Sequence, residues 1–142
     1  MAKIEGFRIK NFRALKDITL GQLWNDRTSK PLSPLTAVIG KNGAGKSTLF
    51  DAFGFLADCL KHGVEEACDA RGRGGFNKIR TQGQSGPIEF EVYYREDGNS
   101  RPITYEIVID LDTTMRPYVV RERLRQRRWL PLRSTTRSAR GV

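Results

Sequence analysis

At 142 residues, with 38% apolar and 29% charged side chains, the chain has the composition of one globular domain, not of a disordered, fibrous or membrane-spanning protein. No apolar run approaches the ~18 residues of a bilayer span, the start Met1-Ala2-Lys3-Ile4-Glu5 has no apolar signal segment, and Cys59 and Cys68 are the only cysteines, so the expectation is a cytoplasmic protein with reduced thiols and no zinc or disulfide framework. The net charge of +9 is lopsided: Arg116 to Val142 holds nine arginines against one acid, Glu122, which leaves the rest near neutral and rules out reading the whole chain as a basic nucleic-acid binder.

In chain order, Lys3 to Lys10 reads as a strand with Gly6 as a bulge, Asn11 to Leu15 as a turn, and Lys16 to Leu20 as a second strand. Trp24 to Pro34 is rich in turn formers and reads as a loop. Leu35 to Ile39 is a short, almost wholly apolar run, as expected of a buried strand. A helix is expected from about Gly45 to Lys61, with an apolar stripe at Leu49, Phe53, Leu56 and Leu60 widened by Phe50 and Phe55. Cys59 falls on that apolar side, so a packed thiol is its expected role. Asp51 is expected to be exposed near the positive end of the helix dipole. His62-Gly63 reads as a stop, a basic side chain on the last turn followed by a glycine, which makes capping the reading for the single histidine.

Val64 to Asp69 suggests a further helical turn, Arg71 to Gly75 a flexible basic loop, and Gly83 to Gly86 another loop. The basic loop has no strand before it and is not read as a phosphate loop. Pro87 to Arg95 and Pro102 to Leu111 both alternate apolar and polar residues around the turn Glu96-Asp97-Gly98-Asn99-Ser100, which predicts a β-hairpin. Tyr118 to Leu124 reads as a third antiparallel strand, with Val120 and Leu124 in phase.

The residues with the clearest chemistry are Gly40, Lys41, Asn42, Gly43, Ala44, Gly45, Lys46, Ser47 and Thr48. They fit G-x-x-x-x-G-K-[ST], between an expected strand and an expected helix, which is the setting of a phosphate-binding loop. Phosphates need many donors and little bulk. Gly40, Gly43 and Gly45 let bare backbone amides approach oxygen, and the helix start adds unpaired amides and a dipole. Lys46 is spaced to reach the β- and γ-phosphates, Ser47 to ligate Mg²⁺, and Thr48 to donate to the α-phosphate. In a random chain of this composition the pattern arises about once in a hundred sequences. The expected ligand is therefore ATP with Mg²⁺.

Three features together resemble the N-terminal part of an ABC-type or AAA-type P-loop ATPase, of the group that holds the structural-maintenance-of-chromosomes proteins, RecF-type recombination ATPases and OLD-type phage-defence ATPases. They are Ile9-Lys10-Asn11-Phe12-Arg13, Val38 to Leu49 with Asn42 as its most informative letter, and Asn77-Lys78-Ile79-Arg80 ahead of the hairpin. The resemblance covers roughly residues 2 to 125. It implies that Asn11 and Arg13 lie near the nucleotide. It also implies what is missing: a Gln loop, an S-G-G signature, an Asp-Glu strand and a switch His are not found in this sequence. Ile107-Val108-Ile109-Asp110 resembles the strand that supplies a magnesium-coordinating Asp, but Leu111 follows where a Glu is expected, so the hairpin reading is preferred. Hydrolysis in the group needs two heads that sandwich ATP, and phosphoryl transfer is mostly positioning and charge stabilisation. Binding with very slow turnover is the expectation, in a homodimer or with a partner chain that completes the head, and with poor solubility alone.

The fold expectation is α/β: the N-terminal half of an ABC-ATPase-like P-loop NTPase, with a strand–P-loop–helix core beside an antiparallel meander. Residues 1–128 would form this partial head and residues 129–142 an Arg-rich, disordered end. A frameshifted or truncated terminus, and a functional tail that contacts DNA phosphates with strong salt dependence, are the other readings of that end. The related pathways are DNA repair, chromosome maintenance and phage defence. The alternative function is a non-enzymatic nucleic-acid-binding fragment that uses the Arg-rich segment.

Overall fold

The computed structural model describes residues 3–25, 30–31 and 44–126, with the first turn from 44 to 47 described by its backbone. Leu35 to Ile39, Gly40 to Gly43 and the end from residue 127 lie outside the described residues. Five strands form one antiparallel sheet: β1 (Lys3–Phe12), β2 (Leu15–Gly21), β3 (Ile88–Arg95), β4 (Ile103–Leu111) and β5 (Pro117–Gln126), in the order β2-β1-β3-β4-β5. The helices α1 (Ala44–His62), α2 (Val64–Asp69) and α3 (Phe76–Ile79) fall between β2 and β3 in the chain. The described part is α/β. The expected meander is present and extends further than expected, because β1 pairs with β3 and joins the β1–β2 hairpin to it.

Strand alternation gives the sheet two unlike faces. Phe7 and Ile9 stand opposite Val92 and Phe90, which stand opposite Tyr105 and Ile107. These side chains, with Phe12, Ile88 and Ile109, form the core together with Ala52, Phe55, Leu56 and Cys59 of α1. The rings of Phe12, Phe55 and Phe90 meet at centroid separations of 5.6, 6.0 and 6.1 Å. The expected bulge at Gly6 is real, with the register shifting between Ile4 and Gly6. A Cβ at Gly6 would lie 1.9 Å from the Gln22 carbonyl oxygen, so only glycine allows the two backbones to approach there.

Three expectations are corrected. The buried stripe of α1 is Ala52, Phe55, Leu56 and Cys59, at i, i+3, i+4 and i+7, while Leu60 and Phe50 are exposed and Leu49 and Phe53 lie at its margin. Small Ala52 lets the helix sit down on that side, and Phe53 meets Phe7 edge-on at 5.1 Å. The basic loop at Arg71 to Gly75 is built around a buried Arg73 that follows a 3₁₀ turn (Ala70–Gly72). In β5, a shift between Val108 and Ile109 makes Val120 the extra residue, so Val119 faces the same way as Leu124.

The stop at His62-Gly63 holds. Gly63 has φ 94°, its N–H donates to the Cys59 carbonyl at 2.9 Å, and its own carbonyl accepts from Ala67 at 3.0 Å to open α2. One left-handed glycine thus ends one helix and starts the next.

Candidate nucleotide site

The site is defined by the start of α1. The helix begins at Ala44, so Gly45, Lys46 and Ser47 form its first turn, and Thr48, half-buried, begins the second. There is no acid in that first turn to compete for its free amides. Gly40, Lys41, Asn42 and Gly43 lie outside the described residues.

A set of arginines and aspartates fixes α1 below that turn. Arg13, in the β1–β2 turn, places its Nε 2.8 Å from Asp51 Oδ2. Arg73 places its Nε 3.5 Å from the other oxygen of Asp51. Asp51 is therefore not the free dipole partner expected of it, but the shared anion of two cations. Arg73 Nη1 donates to Asp58 Oδ2 at 2.8 Å and to the Ala67 carbonyl at 2.9 Å, and its guanidinium lies 5.5 Å from the centre of the Phe55 ring. Arg71 Nε donates to Asp58 at 2.9 Å. The guanidinium groups of Arg71 and then Arg73 hold the Asp58 carboxyl down at about 2.

The two residues implied by the resemblance part company. Both have left-handed backbones, φ 69° at Asn11 and 48° at Arg13, a conformation that asparagine tolerates well and that arginine adopts far less often. Asn11 is buried, and its amide lies 3.1 to 3.4 Å from the carbonyls of Ser85, Gly86 and Pro87, so it closes the loop that enters β3. Arg13 instead faces the helix that carries Gly45 to Thr48, and its N–H donates to the Ile79 carbonyl at 2.6 Å.

The remaining sequence candidates fall into place. Asp110, in β4, stands opposite Tyr118 of β5, one residue beyond the last β3 pairing at Ile109, and its carboxylate accepts from the Leu111 N–H at 2.8 Å. His62 is exposed on the last turn of α1. Both cysteines are buried and free, and burial pushes the Cys59 thiol up to about 12 and Cys68 to about 11, so neither is a ready nucleophile. Among the described residues no three His, Cys, Asp or Glu side chains gather as a metal site, and no helix is long and apolar enough to cross a membrane.

Arg73 and Asp58 were not singled out in the sequence. The available signal was Asp58 itself, an acid between Phe55 and Cys59 on the apolar side of a helix, which needs a cation brought to it.

Residues 35–141 match the family described as "AAA domain, putative AbiEii toxin, Type IV TA system". The chain belongs to this AAA family. The match contains the whole of Gly40 to Thr48, and the AAA-type P-loop ATPase expected from those residues is the chain's own class. A 49-residue stretch is also 45% identical to the OLD nuclease of Thermus scotoductus, covering 34% of this chain and 7% of that protein. The chain thus spans less than a tenth of that relative's length. No solved structure matches.

Proposed function

We propose that this chain binds Mg²⁺-ATP, with Gly40 to Thr48 around the phosphates and Lys46 as their cation. The observation that carries the reading is the family match across these residues, together with an α1 that opens at Ala44 without an acid in its first turn. The donor set suits the ligand: amides and an ammonium for phosphate oxygen, and the Ser47 hydroxyl as the hard oxygen that Mg²⁺ accepts. Bound Mg²⁺ would neutralise phosphate charge. The chain's own contribution is to hold the helix start still, through Asp51 clamped between Arg13 and Arg73. In this reading Arg13 would shift its charge from Asp51 toward a bound phosphate, and Asp51 would keep Arg73 as its counter-ion.

The pathway served belongs to the same proposal: the relative whose name is known is a nuclease, and a role beside DNA in repair or defence fits that likeness. Less favours the Arg-rich segment as the sole binding device. Arg116 is paired with Glu65, and Arg123 and Arg125 with Glu106, so part of its charge is already neutralised.

Calorimetry with Mg²⁺-ATP, beside a phosphate-release assay on the same sample, tests the reading. Binding that disappears in Lys46→Ala, without turnover, is expected. Equal binding by wild type and Lys46→Ala would overturn it, and turnover by the wild type would make Asp110 the first residue to replace.

A further inference from the structure

Two openings meet where the segment after α3 crosses the end of β1. One, of about 440 Å³, is lined by Arg13, Lys16, Lys78, Arg80, Thr81 and Gln82. The other, of about 410 Å³, shares Lys78, Arg80, Thr81 and Gln82 and adds Asn77 and Gln84. Four cations and three side-chain amides therefore line one continuous groove, and no carboxylate does.

The groove is built by the backbone. Arg13 N–H donates to the Ile79 carbonyl at 2.6 Å, Thr81 N–H to the Asn11 carbonyl at 3.2 Å, and Phe12 and Arg80 form an antiparallel bridge. Segments more than sixty residues apart are thus laced together so that their cations converge.

Little within the protein answers that charge. Arg13 has Asp51, but among the described residues Arg80 has only neutral partners, the Gly86 carbonyl, the Asn77 amide oxygen and the Phe76 ring. Lys16 and Lys78 are exposed and form no ion pair among the described residues. At the floor, Thr81 is 6% exposed, and its hydroxyl, closed off from the groove, has no hydrogen-bond partner among the described residues. Converging cations cost free energy in the free protein, and an anion would relieve that cost.

We propose that this groove binds the phosphate backbone of a nucleic-acid strand. Its length across two openings suits a chain of phosphates better than one. Its lining offers ammonium, guanidinium and amide donors, and no aromatic face on which a base could stack, so the groove reads backbone and not sequence. No lining residue of the groove belongs to Gly40 to Thr48 or to the Arg-rich segment, Arg13 is the one residue it shares with the nucleotide reading, and the inference does not depend on nucleotide binding.

The test is fluorescence anisotropy of the full chain with a labelled mixed-sequence duplex over a salt series. Lys16→Gln/Lys78→Gln is compared with Lys3→Gln/Lys61→Gln, an equal reduction of charge at two exposed lysines outside the groove. The groove variant should weaken binding about tenfold at low salt and lower the log K against log salt slope by about 1.8, at ~0.9 for each phosphate that is no longer neutralised. The control should move neither quantity comparably. Equal slopes for the two variants would overturn the proposal and assign the duplex to other cations. Displacement of the duplex by inorganic tripolyphosphate at matched phosphate concentration would also overturn it, by making the groove a small-anion site. Mg²⁺-ATP calorimetry on the groove variant should be unchanged, so that a failure of the nucleotide reading is seen separately.

Discussion

The two faces of the sheet are made from the same strands and stabilised by different physics. On one, Phe7, Ile9, Phe90, Val92 and Ile107 lie against α1 in a closed apolar layer. On the other, the cross-strand row Arg8, Glu91, Glu106, Arg123 places two acids between two cations, and Lys10 pairs with Glu89 alongside it. The first face gains from removal of surface from water, which salt does not screen. The second gains from charge pairs that are half in water and screened. Glu91 shows the cost of this arrangement: burial first, then Glu106 beside it, raises its pKa. A sheet whose outer face is largely self-paired in this way leaves free charge elsewhere, and the groove at Lys16, Lys78 and Arg80 gathers part of it.

The largest effect expected from breaking this contrast is at Phe55. Its ring is fully buried between Phe12, Phe90 and the Arg73 guanidinium, so Phe55→Ala should cost about 3–5 kcal/mol in urea unfolding. A change below ~1 kcal/mol would mean that the apolar face does not carry the fold. Next comes Asp58. Its folded pKa is depressed, so its pairing stabilises the fold above the ordinary carboxylate range, and that stabilisation is lost as pH falls from about 4 through about 2. Asp58→Asn should lower Tm at neutral pH and flatten the acid limb of the Tm–pH curve over that window. An unchanged acid limb would assign the pH dependence to other carboxylates. The smallest effect is on the outer face. Arg8 and Asp17 form a bidentate pair at 2.8 and 2.9 Å with both side chains more than 40% exposed, and a double-mutant cycle with Arg8→Gln and Asp17→Asn should give ~0.2–1 kcal/mol, fading as salt rises. A salt-independent coupling would contradict the division between the faces.

Local chemistry in the sequence located α1 to within a residue at each end, its Gly63 stop and the β3–β4 hairpin, because each rests on a short-range signal: periodicity, a left-handed glycine, a turn between alternating runs. Sheet order was not legible. The pairing of β1 with β3 joins residues some eighty positions apart, and no local pattern reports it. Leu60 and Phe50 were misplaced because periodicity gives an apolar arc and not which part of it faces the sheet. The site was legible in part. The phosphate-loop pattern carried the family, whereas Asn11 is occupied with the loop before β3 and Arg73 only makes sense once Asp51, Asp58 and the Ala67 carbonyl surround it.

That last arrangement has a consequence for the order in which the molecule assembles. The acceptors of Arg73 come from two different helices, and its aromatic platform, Phe55, is one of the rings that seat α1 on the sheet. The guanidinium cannot leave water without penalty until α1, the turn at Gly63 and α2 are all in place. A sheet that had formed without this helical pair would face a charge it could not bury. Burial of Arg73 therefore couples the two helices, because its partners are complete only when α1 and α2 are docked together, and α1 is the segment that carries Gly45 to Thr48.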